Sequence, residues 1–249
     1  MEPYLFETMA RVEEQHWWFV GRRQLVERTI ADLRLGQQPT ILEAGCGTGG
    51  NLAMLARHGR VLAMESDAAA LAHAAAKSTA TVTAGALPDR IPFSGTDFDL
   101  IVLLDVLEHL ADDGAALTAL AQRLTPGGRL LITVPAFPWL WSAHDEAHHH
   151  HRRYTRHGLT ELLTRNGLRV VHAAYFNFLL FPLFAVLRLF NKGGCRDALR
   201  IPPQPLNRLL LALLSLERQL GRLLPLPCGS SLLMVASPDH DVTQASSTK

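Results

Sequence analysis

The sequence predicts an α/β protein built on a doubly wound sheet, and three observations predict it. Short apolar segments alternate with helical ones from residue 40 to residue 134, the pattern of parallel strands covered on both faces. A glycine-rich turn, ILEAGCGTGG at 41–50, leads from the first such segment into the first crossover helix. An acid, Glu65, closes the second segment 20 residues after Gly45, where this class of fold places a group that binds ribose hydroxyls.

The elements follow in order. Leu25, Val26, Thr29, Ile30 and Leu33 form the stripe of an amphipathic helix between Arg22 and Leu35, with Gly36 as its stop. Strands are expected at 40–44, 60–65, 79–83, 98–104 and 129–134, and helices at 49–58, 67–77 and 112–124. A helix at about 156–166 then leads to a strand-like 169–178. Residues 179–227 are leucine-rich and dotted with arginine, 230–238 read as a further strand, and the polar end from 239 to 249 reads as a flexible tail. The expected organisation is cap helices over 1–36, a core over 37–178, an apolar helical insert over 179–228 and a last core strand over 229–238.

Composition narrows the function classes. With 249 residues, 48% hydrophobic and 19% charged, the chain can bury a sizeable core. A formal net charge of +1 offers no global field for nucleic acid. Cys46, Cys195 and Cys228 are odd in number and widely spaced, which reads as reduced thiols in a cytoplasmic compartment. The N-terminus lacks the basic and apolar pattern of a signal peptide. The longest apolar run, 173–187, is interrupted by Asn177 and Pro182 and falls short of a bilayer span.

Two fingerprints overlap in the glycine turn. Gly45, Gly47 and Gly50 spell the dinucleotide GxGxxG, while Gly45, Gly47 and Gly49 spell the GxGxG of S-adenosylmethionine (SAM) enzymes. Glu43, inside the apolar first strand, suits a ligand carrying an ammonium group better than one carrying a pyrophosphate. DVLEHL at 105–110 ends the fourth strand, and LTPGGRLLITVPA at 124–136 turns into the fifth. On these residues the stretch 38–136 resembles a class I SAM-dependent methyltransferase, of the broad group that includes ubiquinone- and menaquinone-biosynthesis enzymes. The resemblance implies a seven-stranded, Rossmann-like sheet whose last strand is antiparallel. It assigns Glu43, Gly45, Cys46, Gly47 and Gly49 to the methionine end of SAM and Glu65, with Ser66 beside it, to the ribose. Asp105 and Val106 would lie near the sulfonium or adenosine. Ala86 and Leu87 stand where the family has its adenine-side loop.

HDEAHHHHRRYT at 144–155 follows the fifth strand, on the same sheet edge as the glycine turn. His144, Asp145 and His109 are candidate bases for an acceptor. His148, Arg152, Arg153 and Tyr154 are candidates for holding an anionic acceptor, and Trp17 and Trp18 for walling its pocket. His144 and His148 have helical ligand spacing, but no second pair accompanies them, so no metal is expected. The arginine-flanked leucines of 206–224 read as a membrane-interface helix, a dimer interface or an extra core layer. The reading is methyl transfer from SAM to a small or lipid-linked acceptor, O-methylation favoured, in the cytoplasm or at the inner face of a membrane. The competing readings are a non-catalytic SAM-fold scaffold and a nicotinamide oxidoreductase.

Overall fold

The structure is a computed structural model that describes residues 3–77, 80–190 and 200–239. Among these, seven strands form one mixed sheet: β1 (Thr40–Ala44), β2 (Arg60–Glu65), β3 (Thr81–Ala84), β4 (Phe98–Leu104), β5 (Leu124–Pro135), β6 (Leu168–Phe176) and β7 (Ser231–Pro238). Their order is β3-β2-β1-β4-β5-β7-β6. The first five pair in parallel, and β7 runs antiparallel between β5 and β6. The winding direction reverses between β1 and β4, which opens a crevice at their carboxyl ends.

The helices are α1 (Pro3–Val12), α2 (Trp17–Asp32), α3 (Leu52–Leu55), α4 (Ala68–Lys77), α5 (Asp113–Ala121), α6 (Ala143–Ala147), α7 (Arg156–Arg165), α8 (Phe181–Phe190) and α9 (Gln204–Leu220). The strands read as continuous apolar runs because consecutive residues feed opposite cores. Ile101 and Leu103 of β4 pack with Leu42, Leu130 and Ile132 on one face. Leu100 and Val102 pack with Ile41, Leu131 and Val235 on the other. Each such side chain contributes roughly 1.5–3 kcal/mol by leaving water.

Several boundaries differ from expectation for local reasons. Helix α2 begins at Trp17, five residues before Arg22, because the His16 side chain accepts from Trp18 N and caps it. It ends at Asp32, ahead of Gly36, and Arg34 then takes φ +49°. Helix α3 is a single turn rather than 49–58, since Gly49 holds φ +84° and delays helical geometry. A Cβ on Gly49 would also stand 2.9 Å from the Ala74 Cα of α4. Gly49→Ala is therefore expected to destabilise the chain by about 1–3 kcal/mol, read as a lower midpoint of thermal unfolding.

Helix α9 packs on α2. Gly21 lets α2 approach α9, where an added Cβ would meet Leu214 at 2.4 Å. Asn207 accepts from Trp17 N at 3.0 Å and donates to Gln15 O at 2.9 Å. Trp17, Leu180 and Leu214 centre a small core that joins α2, α8 and α9. The other face of α9 leaves Leu206, Leu209, Leu216 and Leu220 exposed, a stripe at helical spacing. No described helix is long and apolar enough to cross a membrane. Cys46 and Cys228 are free thiols. Cys195 and residues 240–249 of the expected tail lie outside the described residues.

Candidate active site

Four strand ends converge on one cavity of about 680 Å³. Gly45 follows β1, Glu65 ends β2, Asp105 follows β4 and Pro135 ends β5, and all four line it. Trp17, Trp18 and Arg22 of α2 close it from above, with Phe184 and Arg188 of α8. Trp17 stacks on Phe184 and Trp18 on Phe176, so both indoles are held by packing.

The glycine turn is built by its neighbours. Glu65 Oε2 accepts from Gly47 N at 2.8 Å, while Oε1 accepts from Ser66 N at 2.7 Å and Asp67 N at 2.9 Å. Its fourth donor, Ser66 Oγ, is the longest at 3.3 Å, the partner that an incoming hydroxyl would displace most easily. Gly45 (φ +80°) lies under Val106, and a Cβ there would come within 2.8 Å of it. Gly47 (φ +53°) has open space where its Cβ would be. Glu43 is 1% exposed beneath the turn. Its Oε1 accepts from Asn51 at 2.8 Å, and Oε2 has no hydrogen-bond partner. Burial pushes the Glu43 carboxyl up to about 8, against the Asn51 hydrogen bond and the charge of Arg22. A buried, incompletely paired carboxyl is a receptor for a cation, so this turn fits a nucleoside that carries an ammonium group.

Asp105 (φ +59°) accepts from Thr133 Oγ1 at 3.0 Å and forms an ion pair with Arg22. The opposite wall holds Glu108, His109, His144, His148, His150 and Arg153. Burial, with His150 and His148 nearby, pushes His109 down to about 3. Burial, His148 and Arg188 do the same to His144, to about 3. Burial and His150 lower His148 to about 4. These three rings are neutral at neutral pH. Burial and the Asp105 charge push the Glu108 carboxyl well above the usual range.

Several expected residues stand elsewhere. Asp145 is a buried hub and does not line the cavity. It accepts from Arg153 Nε at 2.8 Å, pairs with Arg188 at 3.0 Å and His150 at 2.9 Å, and caps its own helix through Ser142. With every approach occupied, it has no path to an acceptor proton. Tyr154 points into the core, donating to Asp113 at 2.9 Å and to Leu107 O at 3.3 Å. Arg152 binds Asp113 at 2.8 Å; this pair borders a separate shallow pocket beside α7. Ala86 forms an antiparallel bridge with Arg90, and Leu87 packs against the core. Neither lines the cavity, because the loop folds back on itself through Ala86–Arg90 hydrogen bonds. Gly49 abuts α4 instead of the cavity, and Glu43 is buried behind Asn51, outside the lining. Trp17, Trp18, Arg153, His148, His144 and His109 all reach the lining, as do Gly45, Cys46, Gly47, Glu65, Ser66, Asp105 and Val106.

Sequence reasoning missed three contributors. Glu13, 5% exposed, accepts from Thr48 at 2.8 Å and pairs with Lys77, sealing the cap onto the turn. Asn51 orients Glu43. Arg188 reaches the hub from α8. Asn51 was legible as a polar residue directly after the glycines, but the other two act across the fold, with no local signal.

A family model described as a methyltransferase domain matches residues 15–173. A Mycolicibacterium smegmatis protein named a probable S-adenosylmethionine-dependent methyltransferase is 29% identical over 167 residues, 66% of this chain and 63% of that protein. A demethylmenaquinone methyltransferase of Lactiplantibacillus plantarum is 26% identical over 204 residues, 66% of this chain and 81% of that one. The chain spans about half to two thirds of the length of the first curated relatives it matches, 63% and 46%. Among solved structures, a TehB-like SAM-dependent methyltransferase from Corynebacterium glutamicum superposes with a TM-score of 0.53 at 22% identity, covering 85% and 86% of the two chains. The Haloferax volcanii protein solved with the Trm112 methyltransferase activator gives 0.61 at 18%, covering 94% and 93%. At these identities the structures speak for the fold.

Proposed function

The chain belongs to the methyltransferase-domain family, and we propose that it transfers a methyl group from SAM to a small or lipid-linked acceptor, at an oxygen by preference. The observation that carries this reading is one cavity with two unlike walls. One wall is the glycine turn with Glu65 and Asn51, the latter bonded to the buried Glu43 beneath it; the other is imidazoles, a guanidinium and indoles. SAM supplies an electrophilic methyl on a sulfonium, to be displaced in line by an acceptor atom held about 3 Å away.

The chain's own residues have three tasks. Glu65 and the turn amides orient the nucleoside. Glu43, buried beneath the turn with an unpartnered oxygen, would supply negative charge toward the ammonium group. Trp17, Trp18, Phe184 and Leu140 exclude water and wall an apolar part of the acceptor, while Arg153 and His148 stand for its polar part. His144, held neutral by burial and the neighbouring His148, offers its imidazole to the acceptor's proton. The lipid-linked class is favoured by the exposed leucine stripe of α9 with Arg208 and Arg222 beside it, and by the exposed Trp139 and Trp141. A lipid acceptor puts the chain to work at the cytoplasmic face of a membrane.

Calorimetric titration with SAM and, separately, with NAD(H) tests the cofactor. Micromolar SAM binding without NAD(H) binding is the expected result, and NAD(H) binding alone would sink the reading. Transfer of labelled methyl into a lipid extract, against a panel of small hydroxyl compounds, then tests the acceptor. His144→Ala is expected to leave SAM affinity as it is and to lower turnover by about 10²–10⁴-fold. Unchanged turnover would remove His144 from the chemistry.

A further inference from the structure

We propose that Glu108, His109 and His150 form a divalent metal site of the zinc class on the acceptor side of the cavity. One ligand atom from each lies within 4.8 Å of the other two. Nitrogen and oxygen ligands stand about 2.0–2.2 Å from a zinc ion, hence about 3.3–3.6 Å from each other in a tetrahedron. Small side-chain rotations close the set onto one ion. The His109 and His150 rings already meet edge to face at 4.6 Å.

Independent observations point to a cation at this position. Glu108 is 1% exposed, and its Oε2 has no hydrogen-bond partner. Leaving a carboxylate oxygen buried and unpaired is costly, and a bound cation removes that cost. His148, 7% exposed, likewise carries an unpartnered Nε2, with its ring 5.8 Å from that of His150. It lies outside the set of three and leaves a second buried polar atom open toward the same space. His150 is also prepared: its Nδ1 meets Asp145 Oδ1 at 2.9 Å, and Arg153 and Arg188 fix that carboxylate in turn. A carboxylate on one ring nitrogen sets the tautomer and presents the other, Nε2, to a metal.

Two imidazoles and one carboxylate suit a first-row transition ion such as Zn²⁺ over Mg²⁺ or Ca²⁺, which take oxygen cages. Three protein ligands leave coordination positions open. Glu108, His109 and His150 all line the cavity, so those positions face the acceptor space and admit an oxygen donor, a hydroxyl or a carboxylate. The pair His144 and His148, at helical spacing, is not the core of this site. Its ligands come from the end of β4 and from beyond α6, 41 residues apart for His109 and His150.

The site does not depend on the methyl-transfer reading, because ion binding is measured without SAM. The full chain, stripped with chelator, is titrated with Co²⁺ as a spectroscopic probe, followed by competition with Zn²⁺. One equivalent with visible ligand-field bands, displaced by Zn²⁺, is expected. Glu108→Gln should weaken it by at least about 100-fold, beyond the roughly 10–100-fold of outer partners. The double variant with His149→Ala and His151→Ala, which alters only exposed rings of the run, should keep it. Circular dichroism of each metal-free variant checks folding, and His109→Asn and His150→Asn carry the same test if Glu108→Gln does not fold. Absence of a stoichiometric ion overturns the proposal. So does binding that survives the ligand variants and vanishes in the double variant, since the exposed run would then be the binder. SAM affinity, measured separately, reports on the other wall.

Discussion

Glu65→Ala is expected to weaken SAM binding by about 100-fold or more. Two hydrogen bonds from ligand hydroxyls to a carboxylate account for that, at roughly 1.5–3 kcal/mol each, with every 1.4 kcal/mol a factor of about ten. The loss has a second source in the protein itself. Glu65 accepts from Gly47 N, Ser66 N and Asp67 N, so removing it frees the turn whose amides cradle the ligand. Glu65→Gln keeps the volume and one acceptor oxygen and should fall between. Calorimetry on the three proteins, with thermal melts to confirm folding, gives the order. If Glu65→Ala binds SAM like the unmodified chain, the assignment of this turn is wrong.

Asp145→Ala is expected to be the most damaging single change to stability, by about 3–5 kcal/mol. The Asp145 side chain is 0% exposed. Without it, Arg153 and Arg188 lose their shared counter-charge and α6 loses its capping box. Burial raises the Asp145 carboxyl, but the His150 hydrogen bond and the charges of Arg153 and Arg188 outweigh it and hold the group well below the usual carboxylate range. The sign of the pH effect follows. A depressed folded-state value means the contribution is fully present above the ordinary Asp value near 4. It is lost as pH falls below that value toward the lower folded-state one. Denaturant unfolding of Asp145→Asn beside the unmodified chain should show a gap that is wide at neutral pH and narrows in strong acid. A gap independent of pH would mean that Asp145 acts through packing alone.

The same residue shows where sequence reading stopped. Next to His144, Asp145 reads as a base. Only the arrival of Arg153 from the chain after α6 and Arg188 from α8 turns it into a buried anchor. Tyr154 and Arg152 read as anion ligands, yet both reach Asp113 of α5, which lies on the far side of the cavity wall. Glu108 reads only as part of DVLEHL, and His109 reads as a candidate base. The fold brings both within 4.8 Å of a ligand atom of His150.

The strands, their order along the chain, the glycine turn and the acid that closes β2 were determined by sequence alone. Each is a local pattern: an apolar run of strand length, glycines where φ is positive, a carboxyl a fixed distance along one crossover unit. The antiparallel place of β7 and the cofactor assignments rested on resemblance. Tertiary structure alone decided the partners of the charged groups and the fate of the insert. Leucines stand on both faces of α9, and contacts with Gly21 and Trp17 of α2, with Asn207 and Glu217 bonded beneath, settle which face is buried. Long-range pairing decides these outcomes because a buried charge is stable only with the counter-groups brought to it, and a single sequence carries no mark of which groups those are.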